Sequence, residues 1–204
     1  MLLRETLFMK NKPSLITLLL KVNDNRQAGG KRHELIHILL IVIMGTMIGY
    51  EGYRGIEAFV KRFEADIICL LKIPRKEVSS MSTVRRVMMS LDFNQLSGVF
   101  YQWTKKRVVI RRREWFSCDG KGMKDSLTNH NTKYQNFVSI VSVYCNRAGL
   151  VIQTKAMNNK ERSEAELLRE PIEALDITGI VLSADALHCQ KKHYPSLSVN
   201  EIII

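Results

Sequence analysis

A chain of 204 residues is long enough for one large domain or two small ones, and a hydrophobic fraction of 46% lets it bury a core. Four widely spaced cysteines, none in a C-x-x-C pair, argue against a zinc site and fit reduced thiols in a cytoplasmic protein. Ile36–Tyr50 is the most apolar stretch but has only 15 residues, short of the roughly 20 that a membrane span needs, so no membrane association is expected.

The charge is unevenly spread. The whole chain carries 31 basic and 20 acidic residues, a balance of +11. Residues 1–113 hold 21 basic and 9 acidic residues, whereas residues 114–204 hold 10 and 11. The first half is therefore the part expected to meet phosphates.

In chain order, Leu15–Val22 could form a short helix and Asn23–Gly30 a loop. A helix is predicted over about Arg32–Gly49, interrupted by Tyr50-Glu-Gly52. The next, about Tyr53–Leu71, places Ile56, Val60, Phe63 and Ile67 on one face and should end before Pro74. Ser79–Thr83 reads as a serine-capped helix entry. The helix it opens, to Leu91, carries Arg85 and Arg86, and Asp92 starts another helix to about Arg107. This helix, connection and basic helix invite a helix-turn-helix reading. Lys105–Arg113 then packs six cations into nine residues and marks a boundary at 108.

Beyond it the pattern changes to strands. Glu114–Cys118 is the first and stops at Asp119-Gly120. Asn136–Cys145 and Leu150–Met157 are the second and third, antiparallel across the turn Asn146–Gly149. A helix over Ser163–Leu175 leads to a fourth strand, Ile180–Ala184, which ends at Asp185. Three strands, a helix and a strand allow the first and fourth to lie side by side, bringing Asp119 and Asp185 together. Carboxylates at neighbouring strand ends attract magnesium, an ion that takes oxygen ligands and keeps waters for substrate. His33 and His37 are four apart on one helix but have no third ligand nearby in sequence, and His188 is not assigned as a ligand.

Cys118-Asp119-Gly-Lys121, Lys160–Glu164 and Ser183-Ala-Asp185-Ala-Leu-His-Cys189-Gln190-Lys191 together resemble the DDE-type transposases of insertion sequences. The nearest branch is that of the H-repeat-associated proteins of Rhs elements. Gly30–His33 before an apolar helix and Ser82–Arg86 are similar to the N-terminal domain of that branch. The resemblance implies a ribonuclease-H-like mixed sheet, magnesium, and DNA cleavage and joining, with Asp119 and Asp185 as two of three catalytic, metal-binding acids. Lys121, Glu164 and Gln190 match motif positions without an assigned role. Lys191–Ile204 departs from the family pattern, and Glu201 lies on a tail without periodicity.

The expectation is an α/β chain. An all-α N-terminal domain, 1–108, precedes an incomplete ribonuclease-H-like domain, 109–204. DNA contacts are expected from Arg85, Arg86, Lys105, Lys106, Arg107, Arg111, Arg112 and Arg113. The partners are DNA and a second copy or an intact transposase. With the third acid absent, the chain is expected to be a truncated, inactive transposase. The rival reading is a non-catalytic DNA-binding protein that occupies DNA or interferes with an intact transposase.

Overall fold

A computed structural model describes residues 13–109, 113–128, 136–158, 181–184 and 201–203. The predicted helix over Ser163–Leu175, together with Asp185, Arg111 and Arg112, lies outside them. The chain divides into a helical unit, Ile16–Asp92, and a sheet unit formed by Met1–Leu15 with Phe93–Ile204.

In the helical unit, α1 (Leu15–Leu19) and a single 3-10 turn (Ala28–Gly30) precede α2 (Leu35–Met47), α3 (Gly52–Leu71) and α4 (Met81–Ser90). The predicted break between α2 and α3 is present, and the chain bends there by 99°. Gly49 (φ 92°) and Gly52 (φ 66°) make the corner, a backbone region that other residues resist. Past the corner, α2 and α3 cross at Gly45. A Cβ there would lie 2.7 Å from Ile56 Cδ1 and 2.9 Å from Phe59 Cδ1, so any side chain at this position requires Ile56 and Phe59 to shift.

Ile41, Ile56, Phe59, Ile67, Ile73 and Val78 form the core of this unit, with Val60 and Phe63 packed against it. The expected face of α3 is therefore inward, with Phe59 added to it. The helix stops at Lys72, whose left-handed backbone (φ 52°) closes the last turn two residues ahead of Pro74. Ser80 occupies the entry to α4, but its side chain does not cap the helix. Its hydroxyl meets Ser82 Oγ and Thr83 Oγ1 instead, at 3.0 and 3.1 Å.

The sheet unit begins with α5 (Phe93–Lys105), followed by β1 (Trp115–Thr128), β2 (Asn136–Cys145), β3 (Leu150–Asn158), β4 (Val181–Ala184) and β5 (Glu201–Ile203). Their order across the sheet is β3-β2-β1-β4-β5. The β1–β2 and β2–β3 pairs are antiparallel, while β4 is parallel to β1 and β5 parallel to β4. Alternation along the strands buries Phe116 and Cys118 of β1 together with Ser139, Val141, Val143 and Cys145 of β2.

Two strand expectations are corrected. β1 does not stop at Gly120 but runs to Thr128, because β2 supplies ladder partners through Met123↔Val138 regardless of the turn-like composition. The tail residues Glu201–Ile203, read as patternless, form β5, where an isoleucine-rich segment pairs with β4.

The division between units falls at Asp92/Phe93, ahead of the sequence boundary at 108, because α5 packs on β3. Ser97 Oγ donates to Thr154 O at 2.6 Å. Thr104 Oγ1 lies 3.1 Å from Ile152 O and 2.9 Å from Phe100 O, and its one proton serves one of them at a time. Both carbonyls belong to β3, the outermost of the described strands on that side, and α5 supplies them with donors.

At the start of β1, the buried Glu114 is held by Arg147 of the β2–β3 turn at 2.8 Å, and Arg147 also donates to Val109 O. Removing the guanidinium strands a buried carboxylate. Arg147→Ala should lower the stability of the sheet unit by about 2 kcal/mol, and Glu114→Gln in that background should recover part of it. Urea unfolding followed by tryptophan fluorescence measures both. Equal midpoints for wild type and Arg147→Ala would show the pair to be dispensable.

Candidate nuclease site and cation surfaces

Asp119 is exposed, on the opposite face of β1 from the buried Phe116 and Cys118. Across β2 it faces Ser142. On its other side, β1 pairs in parallel with β4 from Trp115↔Val181 to Cys118↔Ala184. The residues that follow this last pair in the sequence are Asp119 and Asp185. Asp185 itself lies outside the described residues.

Near Asp119, Ser117 Oγ donates to Asn146 Oδ1 at 3.0 Å, while Lys121 is exposed. Among the described residues no three His, Cys, Asp or Glu side chains are gathered tightly enough to hold a metal ion. What Asp119 offers is a hard oxygen donor open to solvent, a type that suits magnesium with its retained waters.

The cations singled out for DNA fall on both units. Arg85 and Arg86 are exposed on α4, where Arg86 Nε reaches back to Ser82 O at 3.3 Å. Lys105 and Lys106 are exposed at the end of α5, with Lys105 Nζ 5.4 Å from the centre of the Tyr101 ring. Arg107 has intramolecular partners. Its guanidinium stacks 4.6 Å from the centre of the Trp103 ring and donates to Trp103 O and Pro13 O at 3.0 and 3.2 Å. Arg113 is exposed in the left-handed region, φ 61°, just before β1.

One group of polar residues was not anticipated. A cavity of about 240 Å³ opens at the N-terminal end of α2, lined in part by Lys31, Arg32, His37, Arg75, Glu77 and Ser79. Lys31–His33 of the Gly30–His33 motif and His37 form one wall of it. Arg75 and Ser79 come from the α3–α4 connection, more than forty positions on, and nothing in sequence spacing links the two segments. The loop leading to α2 is fixed by Arg26. It pairs with Asp24 at 2.7 Å and donates to the carbonyls of Gly30 and His33 at 3.1 and 2.8 Å. The Arg26 side-chain hydrogen bond holds the Asp24 carboxyl below its ordinary range. Burial pushes the His33 imidazole down, with Glu77 partly opposing, so its neutral form is favoured.

The described helices bear on the membrane expectation. None is both long and apolar enough by itself to cross a bilayer.

Residues 16–104 match the family model described as DDE_Tnp_1-associated. "Putative transposase YncI" of Escherichia coli O157:H7 is 27% identical over 184 residues, covering 87% of this chain and 45% of that protein. "H repeat-associated putative transposase YhhI" of Escherichia coli strain K12 is 24% identical over 170 residues, covering 83% of this chain and 44% of that protein. "H repeat-associated putative transposase YbfD" of the same strain is 25% identical over 170 residues, covering 83% and 66%. The chain thus spans less than half the length of the first two of these relatives.

Proposed function

We propose, from its similarity to H repeat-associated putative transposases, that the chain is a DNA-binding protein whose sheet unit carries two acids of a ribonuclease-H-like, magnesium-dependent nuclease site, Asp119 and Asp185. The observation that carries this reading is the parallel register of β1 and β4, which ends at Cys118↔Ala184, one residue short of both acids. It supports two carboxylates on adjacent strands. The long β1, the antiparallel β2 and β3, and the parallel β4 on the other side of β1 are the mixed arrangement that such a sheet requires.

Asp119 and Asp185 would hold the metal through oxygen ligands, and the bound metal would supply charge neutralisation and polarisation at a phosphodiester. The protein's own contribution is to fix the two carboxylates on a sheet that Phe116 and Cys118 anchor from the opposite face. The resemblance calls for a third acid, and no residue of the 204 is assigned that role. By themselves these residues are therefore proposed to bind DNA and to leave it uncut, which also covers the reading of a non-catalytic DNA-binding protein. The basic excess of residues 1–113 favours the DNA-binding component.

The test uses the full chain. Manganese, standing in for magnesium, should broaden the nuclear magnetic resonance signals around Asp119, and Asp119→Asn or Asp185→Asn should abolish the broadening. Duplex binding, measured by fluorescence anisotropy, should weaken steeply with added salt and be unaffected by either substitution. Manganese effects that ignore both substitutions refute the two-acid site. Magnesium-dependent plasmid nicking that disappears with Asp119→Asn refutes the inactivity.

A further inference from the structure

We propose that the cavity at the N-terminal end of α2 binds a phosphate group, of the kind carried by a nucleic-acid backbone or by free phosphate. The site lies in the helical unit and goes beyond the two-acid reading, on which it does not depend.

The first observation is an unanswered hydroxyl. Ser79 is only 5% exposed, lines the cavity, and its Oγ has no hydrogen-bond partner. Buried hydroxyls are nearly always satisfied, so one without a partner in the wall of a cavity points to a group that belongs beside it.

The second observation concerns α2 itself. The first N–H groups of a helix have no intrahelical acceptor, and a side-chain cap normally meets one of them. Here the N-cap residue is Glu34, in an extended conformation, and its carboxylate makes no capping bond. No acidic residue stands in the first turn. The positive end of a 13-residue helix is thus open where Glu34 and His37 line the cavity.

The surrounding charges favour an anion. Lys31 and Arg32 approach from the loop before α2, and Arg75 from the α3–α4 connection. Of the two carboxylates at the rim, Glu77 is paired with Arg32 at 2.6 Å and Glu34 is exposed. Ile38, Ile41 and Ile73 line the rest, so a bound charge is partly withdrawn from water and feels these dipoles and cations more strongly. Two histidines and two glutamates are also metal-ligand types. Among the described residues, however, no three such groups converge. A tetrahedral oxyanion fits better. It accepts hydrogen bonds on every oxygen, and the site offers a hydroxyl proton, backbone N–H groups and cationic donors.

The test titrates inorganic phosphate into the full chain, following the amide signals of His37 and Ser79 and the thermal midpoint of the helical transition. Saturable shifts at both amides and a midpoint that rises with phosphate are expected. Arg75→Gln, a change at an exposed residue, should weaken phosphate binding about tenfold, the value of one charge-assisted hydrogen bond. Ser79→Ala should leave the phosphate-free midpoint unchanged or higher, because it removes an unpaired hydroxyl, and should reduce the gain on adding phosphate. Short duplex DNA is then titrated into the same variants. Parallel weakening for DNA and phosphate identifies a backbone phosphate as the source, and weakening for phosphate alone identifies the free ion. If neither phosphate nor DNA moves the His37 and Ser79 signals, the cavity holds only water and the proposal is overturned. Loss of the two-acid site would leave these results untouched, so the two readings fail separately.

Discussion

Phe116→Ala lowers the stability of the sheet unit by about 3–5 kcal/mol, the range for emptying a buried phenylalanine site. Phe116 has no exposed surface and is the largest fully buried side chain among the described residues. It sits on the central strand, opposite Cys145 of β2 and Leu182 of β4. Truncation therefore leaves a void in a framework held on both sides by ladders that resist collapse into it. Phe116→Leu, which keeps most of the volume, should cost much less. Trp103 and Trp115 are the only tryptophans of the chain and both lie in the sheet unit, so their fluorescence in urea reports this unit alone. A midpoint unmoved by Phe116→Ala would mean that Phe116 does not anchor the sheet.

Gly45→Val acts on the other unit. A Cβ at this position meets Ile56 Cδ1 and Phe59 Cδ1 well inside contact distance, and valine adds two methyl groups at the same crossing. Overpacking of this kind costs about 1–3 kcal/mol. Gly45→Ala sets two effects against each other. The helix gains about 1 kcal/mol of propensity, while Ile56 and Phe59 must shift to admit one methyl group. Alanine should consequently be near neutral and valine clearly destabilising. Far-ultraviolet circular dichroism on heating reads the helical unit, and tryptophan fluorescence provides the control that should stay unchanged. A valine variant melting with the wild type would show that α2 and α3 can separate without loss.

The parts of this fold legible in the sequence are those where local pattern and tertiary demand agree. Asn136–Cys145 is dense in β-branched and aromatic residues and is a strand over that range. Ile56, Val60, Phe63 and Ile67 have helical spacing and turn toward the core. The strand that was cut short failed because its partner is distant in sequence. Gly120, Lys121 and Gly122 look like a turn, but β2 pairs with all three. Ser97 and Thr104 carry no sequence signal for their partners, which are carbonyls of β3. The neighbouring placement of the first and fourth strands was legible because few arrangements of three strands, a helix and a strand are available. The cavity at α2 was not, because no periodicity connects Arg75 and Ser79 with the start of another helix.

The parallel pairing of β1 with β4 also dictates a schedule for synthesis. β1, β2 and β3 are successive and antiparallel, so they can zip together once Asn158 has emerged from the ribosome. β4 must return to β1 from much farther along the chain, a closure with a larger entropic cost. Until Val181–Ala184 arrives, the nascent meander presents one side of β1 as an unpaired edge, open to any other strand nearby. The interval between the emergence of residue 158 and that of residue 184 therefore leaves this edge of the growing polypeptide exposed to aggregation, and a slower passage through it would lengthen the exposure.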